Sequence, residues 1–205
     1  MGMVKENELK VISAAIDAVE KNTDAELVVV LAKQADDYRY IPTLWAALMA
    51  LLVPAVSWAS GWWLDTLDIL MVQLGSFAIL AMVFRLPAVM LRLVPSSVKS
   101  WRASNLARRQ FLDNNLHHTR QDCGVLVFIS EAEHYVEIIA DRGISRHVSV
   151  EQWQSIVDSL ISEIKNGATQ QGLITCINSC GQMLAHFAPA TQEKNELPNH
   201  LIVLG

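Results

Sequence analysis

Two stretches close together decide how this chain is organised: ELVVVLA at Glu26–Ala32, and IPTLWAALMALLVPAVSWAS at residues 41–60. The first is short, apolar and β-branched, which predicts a strand buried on both faces. The second runs for twenty residues without a charge. About 20 apolar residues are what a helix needs to cross a hydrocarbon core of roughly 30 Å. Pro54 fits that reading, because neighbouring groups in a membrane helix re-satisfy the carbonyl that a proline frees. A second apolar run, LDILMVQLGSFAILAMVF at residues 67–84, carries only Asp68 and ends at Arg85. Residues 86–94 are expected to continue along the interface. Trp45, Trp58, Trp62 and Trp63 lie in or near this region, where amphipathic rings favour the headgroup level. The expectation is therefore a two-helix transmembrane hairpin over 41–94. The alternative is a pair of core helices in a soluble protein, although soluble cores rarely set two such runs back to back.

The flanking charges orient the hairpin. Residues 85–110 hold Arg85, Arg92, Lys99, Arg102, Arg108 and Arg109 with no acidic side chain, whereas the connection GWWLDT has no Lys or Arg. The positive-inside rule puts both ends of the hairpin in the cytoplasm. Trp45, Trp62, Trp63, Arg85 and Arg92 are the expected interface contacts, and the basic stretch is expected to lie against anionic lipid. Met1–Lys10 is polar and lacks an apolar core, so no signal peptide is expected. The localisation that follows is a membrane crossed twice, with both termini on the cytoplasmic side.

The charged share of the 205 residues is 18%, below the usual value of about 25%, and residues 41–84 account for the shortfall with only Asp65 and Asp68. Disorder, a collagen-like fibre and a disulfide-stapled module are excluded. So is a nucleic-acid-binding domain, since the net charge is −5 and no basic, aromatic-interleaved stripe is present. Three cysteines, Cys123, Cys176 and Cys180, suit a reducing compartment.

Outside the hairpin the pattern is that of an α/β domain, a small mixed-sheet sandwich flanked by helices. Leu9, Ile12, Ile16 and Val19 recur at helical spacing. After residue 95 a helix is expected to carry Trp101, Ala107, Phe111 and Leu116. Strands are expected at residues 125–130 and Tyr135–Ala140, joined by a short hairpin. Ser149 and Gln152 form a capping box for a helix that stops at Gly167, and Pro189 ends the last helix. The first strand must pair with strands about a hundred residues later. Residues 1–40 and 95–190 are thus read as one split domain, with 191–205 as a tail.

Acidic side chains gather near the strand ends. Glu133, Tyr135, Glu137 and Asp141 share one parity, so they are expected on one face. If Glu26 and Asp37 met that face, the group would bind Ca²⁺ or Mg²⁺ through oxygens, or raise one carboxyl pKa for acid–base work. An ordinary solvated sheet face remains the alternative. Motifs for a serine nucleophile, a phosphate loop or a zinc helix are absent from the sequence.

The segments TDAELVVV (residues 23–30), FLxxxLHxT (111–119) and GVLVFISEAEHYVEIIADRGI (124–144), followed by a Trp-bearing helix, resemble the TPM domain family, also called the TPM phosphatase family. The resemblance is closest to the bacterial branch with two membrane spans inside the domain. It implies a small α/β sandwich. Acid phosphatase activity and divalent-metal binding in plant members would carry over to Glu26, Asp37, Glu133, Glu137 and Asp141. The leading expectation is a membrane-anchored accessory protein that meets lipid and a membrane-protein partner and binds no nucleic acid. The rival is a weak metal-dependent phosphatase.

Overall fold

The computed structural model describes residues 4–61, 64–119, 122–191 and 201–205. In chain order the elements are α1 (Glu6–Glu20), β1 (Glu26–Ala32), α2 (Tyr40–Ala50), α3 (Val53–Ala59), α4 (Thr66–Phe84), α5 (Pro87–Leu93) and α6 (Ser96–Asp113). A single 3₁₀ turn, Leu116–His118, leads to β2 (Gly124–Ser130) and β3 (Tyr135–Ala140). The chain continues through α7 (Arg142–Ser145), α8 (Val150–Lys165), α9 (Thr169–Phe187) and β4 (Leu201–Leu204). Two compact units result: Met1–Ala35 with Ser100–Gly205, and Asp36–Lys99.

In the first unit, β1 and β2 lie side by side, parallel and in register from Glu26↔Gly124 to Ala32↔Ser130. All seven residues of each strand are buried, as expected for near-continuous apolar runs in the middle of a sheet. β3 folds back antiparallel on β2, with Ser130 opposite Tyr135. β4 pairs parallel with Val29–Ala32, giving the order β3-β2-β1-β4. Residues 191–205 are therefore more than a tail, because their last part closes an edge that β1 would otherwise leave open. Four apolar residues carry too short a pattern to announce a strand.

Alternation along the strands divides the core. Leu27, Val29 and Leu31 join Val125, Val127 and Ile129 beneath α1, α8 and α9. Val28, Val30, Leu126 and Phe128 face the other way, onto Ala103, Ala107 and Phe111 of α6. Burying one such side chain contributes roughly 1.5–3 kcal/mol, so the two faces together supply most of the drive to fold. The ends of the helices follow the local chemistry. Ser149 and Gln152 make both halves of the capping box on α8, and Gly167 takes φ +77° after its C-terminus.

One glycine is required by its neighbours. A Cβ on Gly124 would lie 2.1 Å from the Leu116 carbonyl oxygen, a backbone atom that cannot swing aside. The absent side chain is what lets the 3₁₀ turn lie against the start of β2.

The second unit holds the apolar segments. The first expected span is interrupted at Leu51 and Leu52, dividing it into α2 and α3. Pro54 explains the break: its ring crowds the carbonyl four residues back, at Ala50, and it offers no N–H. α4 runs unbroken, packs on α2, and none of its residues is buried. By length and composition, Tyr40–Ala59 and Thr66–Phe84 are each long and apolar enough to cross a membrane. Within this unit Tyr38 is fully buried with Ile41 and Val94, and it takes φ +51°, a conformation a bulky residue keeps only when packing holds it.

Gly124→Ala should lower the unfolding free energy by about 1–3 kcal/mol, the usual cost of forcing a methyl group into a filled core. Thermal and denaturant melts of the full chain in detergent would measure it. An unchanged midpoint would mean that the Leu116 turn moves freely.

Candidate functional site

The expected acidic residues do not converge, and strand geometry explains why. Glu26 opens β1, and the register puts it beside Gly124. Asp141 follows β3 and donates its N–H to the Gly124 carbonyl at 2.8 Å. Glu26 and Asp141 thus flank one position of β2, two strand spacings apart, or about 10 Å between Cα atoms. The Leu116 backbone crosses the sheet between them, over Gly124. Glu137 stands opposite Phe128, which in turn pairs with Val30. It shares the α6 face with Glu26 but lies four residues further along, about 16 Å away. Glu133 is in the β2–β3 turn, beyond the opposite ends of the strands. Asp37 belongs to the second unit, in an exposed ion pair with Arg39 at 3.0 Å. The parity argument holds for Glu137, but strand position separates the carboxylates.

Glu133, Asp141 and Glu137 also have local structural work. The Ser130 hydroxyl donates to buried Glu133, and the Ala35 N–H donates to its other oxygen at 3.0 Å. This clamps the chain leaving β1 to the hairpin turn. Asp141 caps α7 by accepting from the Arg142 N–H at 2.7 Å, while its Oδ2 is buried with no hydrogen-bond partner among the described residues. The Tyr135 hydroxyl donates to Glu137 at 3.0 Å. Asp24, just before β1, accepts from both the backbone and the hydroxyl of Thr191 at 2.8 and 2.5 Å. Thr23 donates its hydroxyl to the Ala188 carbonyl at 2.6 Å. The stretch before β1 therefore ties down the end of α9.

A cleft of about 310 Å³ opens at this end of the sheet, lined by Asp17, Glu20, Lys21, Thr23, Asp24 and Glu26. Ca²⁺ takes 6–8 oxygen ligands at 2.3–2.6 Å. Among the described residues, no three His, Cys, Asp or Glu side chains are grouped closely enough to hold a metal ion. The donor set expected from the sequence does not fit a resident divalent cation. Of the interface residues, Trp45 lies midway along α2, Arg85 follows α4, and Arg92 is in the last turn of α5. Trp62 and Trp63 lie outside the described residues.

Residues 89–183, from α5 into α9, match the TPM domain. This stretch is a TPM domain. The fold of the chain agrees with a solved structure: the NMR structure of BA42 from the psychrophilic bacterium Bizionia argentinensis superposes with a TM-score of 0.60. That comparison spans 98% of this chain and 94% of the other at 20% identity, so it speaks for the fold. No curated protein matches the chain in sequence.

Two ionisable groups in the TPM domain are shifted upward. Burial pushes up the Tyr135 phenol, with Glu137 adding to the shift and a hydrogen bond from Ser104 opposing it. Burial likewise raises the Cys123 thiol, helped by Asp122 and Asp141.

The first expected result follows from Glu133. Glu133→Ala strips partners from the Ser130 hydroxyl and the Ala35 N–H, and should cost about 1–3 kcal/mol in a denaturant melt. The second concerns pH. A raised native pKa keeps the group protonated after its unfolded counterpart has ionised. Stability is therefore full below about pH 9 and declines as pH rises through the unfolded values near 9–10. Tyr135→Phe should flatten the upper part of that decline, as read from melts at stepped alkaline pH.

Proposed function

We propose that this TPM-domain protein is a two-pass protein of a bacterial plasma membrane, with both termini in the cytoplasm. Its role there is to help assemble or maintain a membrane complex. The observation that carries the reading is α4, an uninterrupted apolar helix of 19 residues, none of them buried. A core helix in a soluble protein would be covered, and water-facing monomers rarely expose apolar patches beyond a few hundred Å². Lipid is the solvent that suits such a surface. The charge pattern supports the orientation, since the basic side chains follow α4 and the short connection before it has none.

The accessory role draws on how the acidic side chains are used. Glu133, Glu137, Asp141 and Asp24 each bind backbone or hydroxyl groups that hold the domain together. A domain built this way presents a polar surface whose acids are committed to structure, which suits recognition of a neighbouring membrane protein. The competing reading, a divalent-metal-dependent phosphomonoesterase, needs the carboxylates to meet around an ion.

Two measurements test the proposal. In membranes from cells expressing the full chain, the protein should stay in the pellet after alkaline carbonate, and a reporter active only outside the cytoplasm should be silent when fused after Gly205. Release by carbonate, or an active reporter, would overturn the anchoring. Purified protein in detergent, given a phosphomonoester with Ca²⁺ or Mg²⁺, should turn over no faster than its Glu137→Gln and Asp141→Asn variants. Metal-dependent turnover that vanishes in both would establish the hydrolase instead.

A further inference from the structure

α6 has two faces. Ala103, Ala107 and Phe111 are buried under the sheet. At 100° per residue, the opposite face carries Trp101, Arg102, Asn105, Arg108, Arg109 and Leu112. Trp101 is 59% exposed and Leu112 54%, and Arg108 and Arg109 are both exposed. The Arg102 guanidinium sits over the Trp101 ring, 4.9 Å from its centroid. No acidic side chain occurs from Arg85 through Leu112.

A solvated helix face normally mixes both signs of charge and keeps large apolar groups turned inward. This face sets three arginines against one acid, Asp113 at its C-terminal end, and turns two large apolar groups outward. It leaves an indole and a leucine in water beside three arginines, in a chain whose net charge is −5. The positive charge is therefore local, and it is paired with side chains suited to the boundary between headgroups and acyl chains. Indoles favour that depth. Guanidinium forks bind phosphate oxygens in pairs. Anionic leaflets attract basic segments next to a span. We infer that the outer face of α6 docks on anionic lipid headgroups, with Trp101 and Leu112 entering the interface and Arg102, Arg108 and Arg109 binding phosphates. The inference rests on the membrane anchoring proposed above and names the lipid class that this part of the domain recognises.

The test uses the full chain in lipid nanodiscs, with an environment-sensitive fluorophore on Asn105→Cys. The native cysteines Cys123, Cys176 and Cys180 are buried, so the new thiol is the one that labels. In discs containing roughly a third phosphatidylglycerol, the emission should shift to the blue and be quenched by spin-labelled lipid. In neutral phosphatidylcholine discs the label should stay wet. Each surface arginine is worth about fivefold, so Arg108→Gln with Arg109→Gln should lower the docked-to-undocked ratio about 25-fold. Lys165→Gln, on the exposed end of α8, should leave the ratio unchanged. Salt near about 1 M should undo the docking. A label equally wet in both discs, a response that survives loss of both arginines, or a response to an acidic peptide but not to anionic lipid would each overturn the inference. A chain that enters discs yet keeps a wet label overturns this inference alone. One that fails to enter discs overturns the anchoring as well.

Discussion

The parallel pairing of Glu26–Ala32 with Gly124–Ser130 is the constraint on which the rest of the structure depends. Both strands are buried throughout, so neither can satisfy its backbone N–H and C=O groups with water. They must find each other across everything between Ala32 and Gly124, including the whole apolar unit. The 3₁₀ turn at Leu116–His118 fits against β2 because Gly124 has no side chain there. β4 then closes the open edge of β1, where an exposed apolar strand would recruit other chains.

That arrangement also decides what the carboxylates do. Sharing a face is a matter of parity, but sharing a site demands the same position along the strands as well. Glu137 and Glu26 meet the first condition and fail the second, while Glu133 sits beyond the opposite strand ends. Freed from convergence, the acids serve as clamps. Glu133 ties the exit of β1 to the β2–β3 turn, Asp24 ties the end of α9 to the start of β1, and Asp141 caps α7. An interruption of this length makes such clamps useful, because the two halves of the sheet reach each other only through long-range contacts.

The two sides of the sheet have different tasks. α1, α8 and α9 cover one face with a continuous apolar core. The other is covered by α6, which buries two alanines and Phe111 inward and carries arginines with an indole outward. The same helix thus completes the core and supplies the most distinctive surface of the TPM domain. The unit that precedes it, with no residue of α4 buried, is the part whose composition calls for lipid.

Local chemistry made much of this chain legible. The β-branched runs at 26–32 and 125–130, the Ser149–Gln152 capping box, the uncharged stretch at 41–60 and the apolar run at 67–84 each declare their element within a few residues. Such signals arise from propensity, capping and periodicity, which act over short distances. Pro54 sets the break at Leu51–Leu52 locally, but the tertiary structure alone decided the role of Leu201–Leu204 as an edge strand and the need for glycine at 124. It also decided that Glu26, Glu133, Glu137 and Asp141 would be spread along the sheet. The reason is that register and strand position are set by pairing partners far away in the chain, and no pattern of neighbouring residues records them.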